Sequence, residues 1–238
     1  MMLKAFGCSF IYGTDLADEG DPTNTTSPPA SKSTWTALTA KRLGLNYKCG
    51  AKGGCGNLLI LDRVLANIEM DRNQQDLYVV AWTWSMRFDY SNPGGQHFDG
   101  ADRNSWCTLL PMDANAGHLH DFYFRNFHSA YRDKLTTLLY ISQTIDVLQS
   151  RSLPFYMTCM DDEIFDQRWH MTPGVALLQE KVRPHIRTFE GQNFLRWSTA
   201  RGFKVSATGH PLEAAHSAAA DLVYPEIADL VNTMNKRD

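Results

Sequence analysis

Ser9 lies in Phe6-Gly7-Cys8-Ser9-Phe10-Ile11-Tyr12-Gly13, a serine bracketed by glycines at the end of an apolar run. A serine hydroxyl becomes a nucleophile only when a base takes its proton. A turn after a strand exposes that hydroxyl, and a following helix N-terminus favours developing negative charge. His210, in Gly209-His210-Pro211, supplies a base of the right type near the other end of the chain. The proline keeps the histidine backbone extended, so the next helix starts at or just after it. Between these two segments, Gly53, Gly54 and Gly56 fall in four positions ahead of Asn57 and a helical pattern. Backbone N–H groups in such a turn suit an anion, either a tetrahedral oxyanion or a phosphate. No Gly-Lys-Ser/Thr follows, which makes the phosphate cradle the weaker choice.

A base needs an orienting group, and here the sequence is sparse. No Asp or Glu lies between Glu190 and His210; Ser206, Ala207 and Thr208 stand there instead. Three arrangements remain open: a Ser9–His210 dyad with a hydroxyl or carbonyl fixing the imidazole tautomer, an acid such as Asp161 or Asp162 arriving from another loop, or a site that has lost activity. His216 falls on the apolar stripe of the last helix and reads as a packed residue. His118, His120, Asp121 and Asp113 lack a recognisable metal-ligand spacing, so neither metal nor cofactor is expected.

The elements that must position these residues follow from periodicity. Leu3–Ser9, Leu45–Cys49, Leu77–Trp84, Pro154–Met160 and a short Phe203–Ser206 read as strands. Trp35–Leu43, capped by Ser33 or Thr34, reads as a helix, as do the stretch from Asn57 with Leu58, Leu61, Leu65 and Ile68 on one stripe, Tyr131–Gln149, and the C-terminal stretch with Leu212, Ala215, Ala219, Leu222, Ile227 and Leu230. Alternating strands and helices imply an α/β fold with a mainly parallel sheet covered on both faces. Ligands bind such sheets at the edge where the strands end, which gathers the Ser9 turn, the Gly54 turn and the loop after Trp84. Residues 86–130 break the rhythm and are too long for a simple connection. They are expected to form a lid or pocket wall, the alternative being a surface excursion. Their aromatic and polar residues Tyr90, His97, Phe98, Trp106 and Tyr123 suit stacking on a sugar ring, and suit an acyl chain no better or worse.

Composition sets the outer bounds. The 238 residues suffice for one domain, and 43% hydrophobic with 21% charged residues is ordinary for a globular chain. A net charge of -3 argues against a nucleic-acid or anionic-membrane partner. No apolar run approaches the roughly 20 residues that span a bilayer, and the N-terminal apolar stretch is too short for a secretory signal. Five scattered cysteines without a CxxC pair suggest reduced thiols and a cytoplasmic location. The oligomeric state is not legible.

Gly7-Cys8-Ser9-Phe10 with Gly13, the turn ending Gly54-Cys55-Gly56-Asn57, and Gly209-His210-Pro211 together resemble, in order, the blocks of the SGNH (GDSL-type) hydrolases. The resemblance implies a three-layer α/β/α sandwich with a flavodoxin-like sheet, and ester hydrolysis through an acyl-enzyme, the substrate being a small-molecule or carbohydrate ester. It implies Ser9 as nucleophile, His210 as base, and the N–H groups of Ser9 and Gly54 as oxyanion donors. Two departures stand out. Cys8 replaces the family's Asp before the serine, and the block with its oxyanion Asn is missing after the third strand. Thr83 or Ser85 is the candidate substitute donor there, with Asn57, Trp84 and Arg87 as candidate substrate contacts; Arg87 equally suits capping of its own loop. An alternative reading is a binding protein on a scaffold that has lost its chemistry.

Overall fold

The computed structural model describes residues 1–19, 30–70, 75–91, 106–113 and 117–235. In chain order the elements are β1 (Met2–Phe6), α1 (Ser9–Tyr12), α2 (Trp35–Arg42), β2 (Asn46–Cys49), α3 (Asn57–Met70), β3 (Leu77–Trp82), β4 (Phe88–Ser91), β5 (Trp106–Leu109), α4 (Gly117–Asn126), α5 (Ala130–Ser150), β6 (Phe155–Cys159), α6 (Pro173–Val182), β7 (Ile186–Arg187), α7 (Phe194–Ala200) and α8 (Glu213–Asn235). A 3₁₀ turn over Asp162–Phe165 follows β6.

Five strands form one parallel sheet in the order β2-β1-β3-β6-β7. Helices α2 and α8 pack together on one side, and α3, α5 and α6 on the other. This is the expected three-layer α/β/α architecture, with the strand order of the flavodoxin-like class. The central strands are buried on both faces, so β3 is a continuous apolar run, Leu77-Tyr78-Val79-Val80-Ala81-Trp82, without alternation. In this strand order the direction of winding reverses between β1 and β3, and the crevice beyond their C-terminal ends is the natural ligand site. Ser9 follows β1 there and Thr83 follows β3.

The sequence reading differs from the structure at its least periodic points. Phe203–Ser206 is no strand; Val205 makes a single bridge to Pro211. The fifth strand is the two-residue β7, too short to leave a pattern. The insertion holds an antiparallel hairpin, β4–β5, and the helix α4. His97 and Phe98 lie outside the described residues. Among the described residues no helix is long and apolar enough to cross a membrane, and no group of His, Cys, Asp and Glu is arranged to hold a metal ion. All five cysteines are free.

Candidate active site

β1 ends at Phe6, and Ser9 opens the single-turn helix α1, with Cys8 at its N-cap. Gly13 ends the helix at φ +85°, its N–H on the Ser9 carbonyl at 2.8 Å. Glycine is required twice over: its φ lies in the left-handed region, and a Cβ would come within 2.4 Å of the Ser31 Cβ. Two residues on, Asp15 also adopts a left-handed conformation, φ 70°, which Asp tolerates better than most residues. These turns swing the chain back over α1 and bring Asp15 to the C-terminal histidine.

The result is a connected line of groups. Ser9 Oγ lies 2.8 Å from His210 Nε2, and His210 Nδ1 lies 2.8 Å from Asp15 Oδ2. The same carboxylate oxygen accepts the Ser206 hydroxyl at 2.6 Å and the Thr208 hydroxyl. Ser206 Oγ also accepts the His210 backbone N–H at 3.1 Å. Those two hydroxyls, ahead of the His210 contact, hold the Asp15 carboxyl below its ordinary range. An ionised Asp15 demands a proton on Nδ1, leaving Nε2 as acceptor for Ser9. The acid missing before His210 is therefore supplied from the loop after α1. Asp161 and Asp162 are engaged elsewhere: Asp161 accepts the N–H groups of Ser85 at 2.8 Å and Glu163 at 3.0 Å, and Asp162 pairs with Arg196 at 2.9 Å.

Aromatic packing fixes the imidazole from the side. Phe10 sits 5.1 Å from the His210 ring and 5.7 Å from Trp84, and the Arg87 guanidinium lies 4.8 Å from the Trp84 ring. Arg87 also donates to the Cys55 carbonyl at 2.9 Å, which ties the loop after β3 to the glycine-rich turn. His216 is buried beside Phe194, and its Nδ1 accepts the Trp35 N–H at 3.1 Å. Burial, with His210 nearby, pushes its pKa down to about 3. It is the packed residue the stripe predicts.

Among the described residues no acceptor takes the N–H of Ser9 or of Gly54. The rest of the glycine-rich turn is occupied. Asp89, from β4, accepts Gly56 N–H at 2.8 Å, Leu59 N–H at 2.9 Å and the Thr108 hydroxyl at 2.6 Å. A Cβ at Gly56 would lie 2.7 Å from that carboxylate. Burial holds the Asp89 carboxyl above its ordinary range. The start of α3 thus already carries an internal carboxylate, which removes the phosphate cradle. It also anchors the hairpin beside Gly54, where Lys52 Nζ donates to the Trp106 carbonyl at 3.2 Å.

Two of the expected contact residues are buried. Asn57 is buried, with its amide oxygen on Thr83 N–H at 2.8 Å and its amide nitrogen on the Thr83 carbonyl at 3.1 Å and Thr137 Oγ1 at 3.2 Å. It ties α3 to the loop after β3. Thr83 is 0% exposed, and among the described residues its hydroxyl has no hydrogen-bond partner. Ser85 is half-buried and lines a cavity.

No family model matches the chain, and no curated protein matches it. Solved structures do. The psychrotrophic esterase EstA from Pseudoalteromonas sp. aligns at TM-score 0.53 and 11% identity over 97% of this chain and 98% of that one. TesA aligns at TM-score 0.54 and 14% identity over 97% and 99%. A carbohydrate esterase family 2 enzyme with a carbohydrate-binding domain, from Corynascus thermopiles (Myceliophthora fergusii), aligns at TM-score 0.51 and 12% identity over 97% and 66%. The chain has the SGNH hydrolase-like fold.

Proposed function

We propose that the protein is a serine esterase that uses Ser9, His210 and Asp15 to form and hydrolyse an acyl-enzyme. The single observation that carries this reading is the Ser9–His210–Asp15 line, two contacts of 2.8 Å with the acid held ionised by two hydroxyls. His210 Nε2 accepts the Ser9 proton as Oγ attacks the ester carbonyl. The resulting imidazolium donates that proton to the leaving alcohol, and a water, deprotonated by the same nitrogen, then releases the acid. Asp15 keeps the ring in the required tautomer and stabilises its positive form. The N–H groups of Ser9 and Gly54 serve the oxyanion, with the Ser85 hydroxyl as a third donor; one such donor contributes roughly 10²–10³ in rate. The β4–β5 hairpin forms the wall beside Gly54. The esterases among the structural neighbours agree with this chemistry.

The test is covalent labelling. A fluorophosphonate probe is expected to label the protein at Ser9 and to leave Ser9→Ala unlabelled, with turnover of 4-nitrophenyl acetate lost in parallel. Labelling that persists in Ser9→Ala, or a wild-type protein inert to both reagents, would overturn the proposal and favour a binding protein on this scaffold.

A further inference from the structure

The loops after β3 and β6 enclose a cavity of about 310 Å³ lined by Ser85, Met86, His128, Asp133, Lys134, Glu163, Trp169 and His170, among others. Its size lies within the range of small-ligand sites, ~300–1,000 Å³. It lies at the sheet edge that carries Ser9: Ser85 follows Trp84, which packs on Phe10, the residue after Ser9.

One wall is held in place at an energetic cost. Lys134, on α5, is only 4% exposed, and its ammonium donates to the carbonyls of Asp166 at 2.5 Å and Trp169 at 2.8 Å. Burying a lysine is unfavourable unless its charge is well satisfied, and here the satisfaction consists of pinning the 166–171 loop to α5. Asp161 adds a second tie by accepting the Ser85 N–H. What the pinned loop presents is Trp169, 59% exposed with the Arg168 guanidinium 5.8 Å from its ring, and His170 at φ 51°. An open indole on a backbone held in place, beside carboxylate, imidazole and hydroxyl groups, is the chemistry that recognises a ring with an apolar face and a polar rim. An alkyl chain here would desolvate the exposed Glu163 carboxylate without replacing its hydrogen bonds to water.

We propose that this cleft binds the alcohol half of the ester, a hydroxyl-rich ring of the sugar class, with Trp169 as stacking platform and Glu163 as hydroxyl acceptor. The proposal rests on the esterase reading above. The aromatic platform comes from the segment between β6 and α6 rather than from residues 86–130.

The experiment compares kcat/KM for acetylated xylotriose with that for 4-nitrophenyl acetate, whose alcohol is not a sugar. In Trp169→Ala the ratio of the two is expected to fall about tenfold through KM, to fall in Glu163→Gln as well, and to recover in Trp169→Phe. A ratio unchanged in both Trp169→Ala and Glu163→Gln would overturn the assignment. If the wild-type protein hydrolyses neither ester, the esterase reading fails and the cleft is tested directly with unesterified xylotriose by calorimetry. Binding that disappears in Trp169→Ala supports the cleft, and no binding to the wild-type protein refutes it.

Discussion

At the scale of single residues, the departure that mattered most was the acid. Ser9 and His210 were legible because each sits in a short glycine-marked segment whose local geometry suits its chemistry. Asp15 was not, because its proximity to His210 spans 195 positions and depends on two left-handed turns in succession. A partial signal existed: Ser206 and Thr208 put two hydroxyls just before the histidine, and hydroxyls in that place need a carboxylate to donate to. The consequence is sharp for Asp15→Asn. An amide would donate to Nδ1, shift the imidazole proton to Nε2 and leave Ser9 without a base; the comparable change in a serine protease costs about 10⁴ in kcat. The same order of loss is expected here in 4-nitrophenyl acetate turnover, with the fluorophosphonate rate falling alongside. The low Asp15 pKa fixes the sign of its pH dependence. The carboxylate stays charged through the usual carboxylate range, so its own protonation takes activity away only below that range. A loss below tenfold in Asp15→Asn would mean that Thr208, 2.8 Å from Nδ1, orients the ring unaided.

At the scale of elements, the long periodic segments were readable and the short ones were not. β1, β3, α5 and α8 announce themselves by apolar runs or stripes. The hairpin, α4 and β7 are held by tertiary contacts such as Asp89 on the start of α3, which no local pattern encodes. Burial also rotated one stripe: Leu222 is 36% exposed whereas Ala220 and Val223 are buried, because α8 faces both the sheet and α2. The joint between those helices has its own prediction. Thr34 caps α2 by accepting the Ala37 N–H, and His216 of α8 accepts the Trp35 N–H. With the His216 folded-state pKa at about 3 against an ordinary 6.5, the unfolded chain takes up the proton first. Stability contributed by the neutral ring is thus whole above pH 6.5 and declines as pH falls toward about 3. Between pH 6.5 and 5 this one residue is expected to cost about 2 kcal/mol. Urea unfolding at the two pH values measures it: the wild-type protein should lose that increment, and His216→Gln should lose it no longer, whatever its starting stability.

At the scale of the whole molecule, the parallel sheet separates chemistry from anchoring. Ser9, Ser85 and Asp161 all follow strand ends at one edge. At the opposite edge, where the strands begin, Lys4 and Asp76 form an ion pair of 2.8 Å with side chains 1% and 3% exposed, and Asp76 also accepts the Met2 N–H at 2.7 Å. Lys4 lies on β1, whose neighbours are β2 and β3, so this pair fastens the start of the strand from which the Ser9 turn emerges at the far end. Removing one partner of a buried pair strands the other charge, at about 3–5 kcal/mol. For a chain of this size that lowers Tm by roughly 6–20 °C. Asp76→Ala is therefore expected to melt early and yet, assayed well below its own Tm, to keep kcat/KM within about twofold, since additivity holds for sites with no shared partners. Ser9→Ala should do the reverse, abolishing turnover with little change in Tm. Thermal scans and kinetics on the two variants check both halves, and a proportional loss of activity in folded Asp76→Ala would show that strain at the start of β1 reaches the nucleophile turn through the strand.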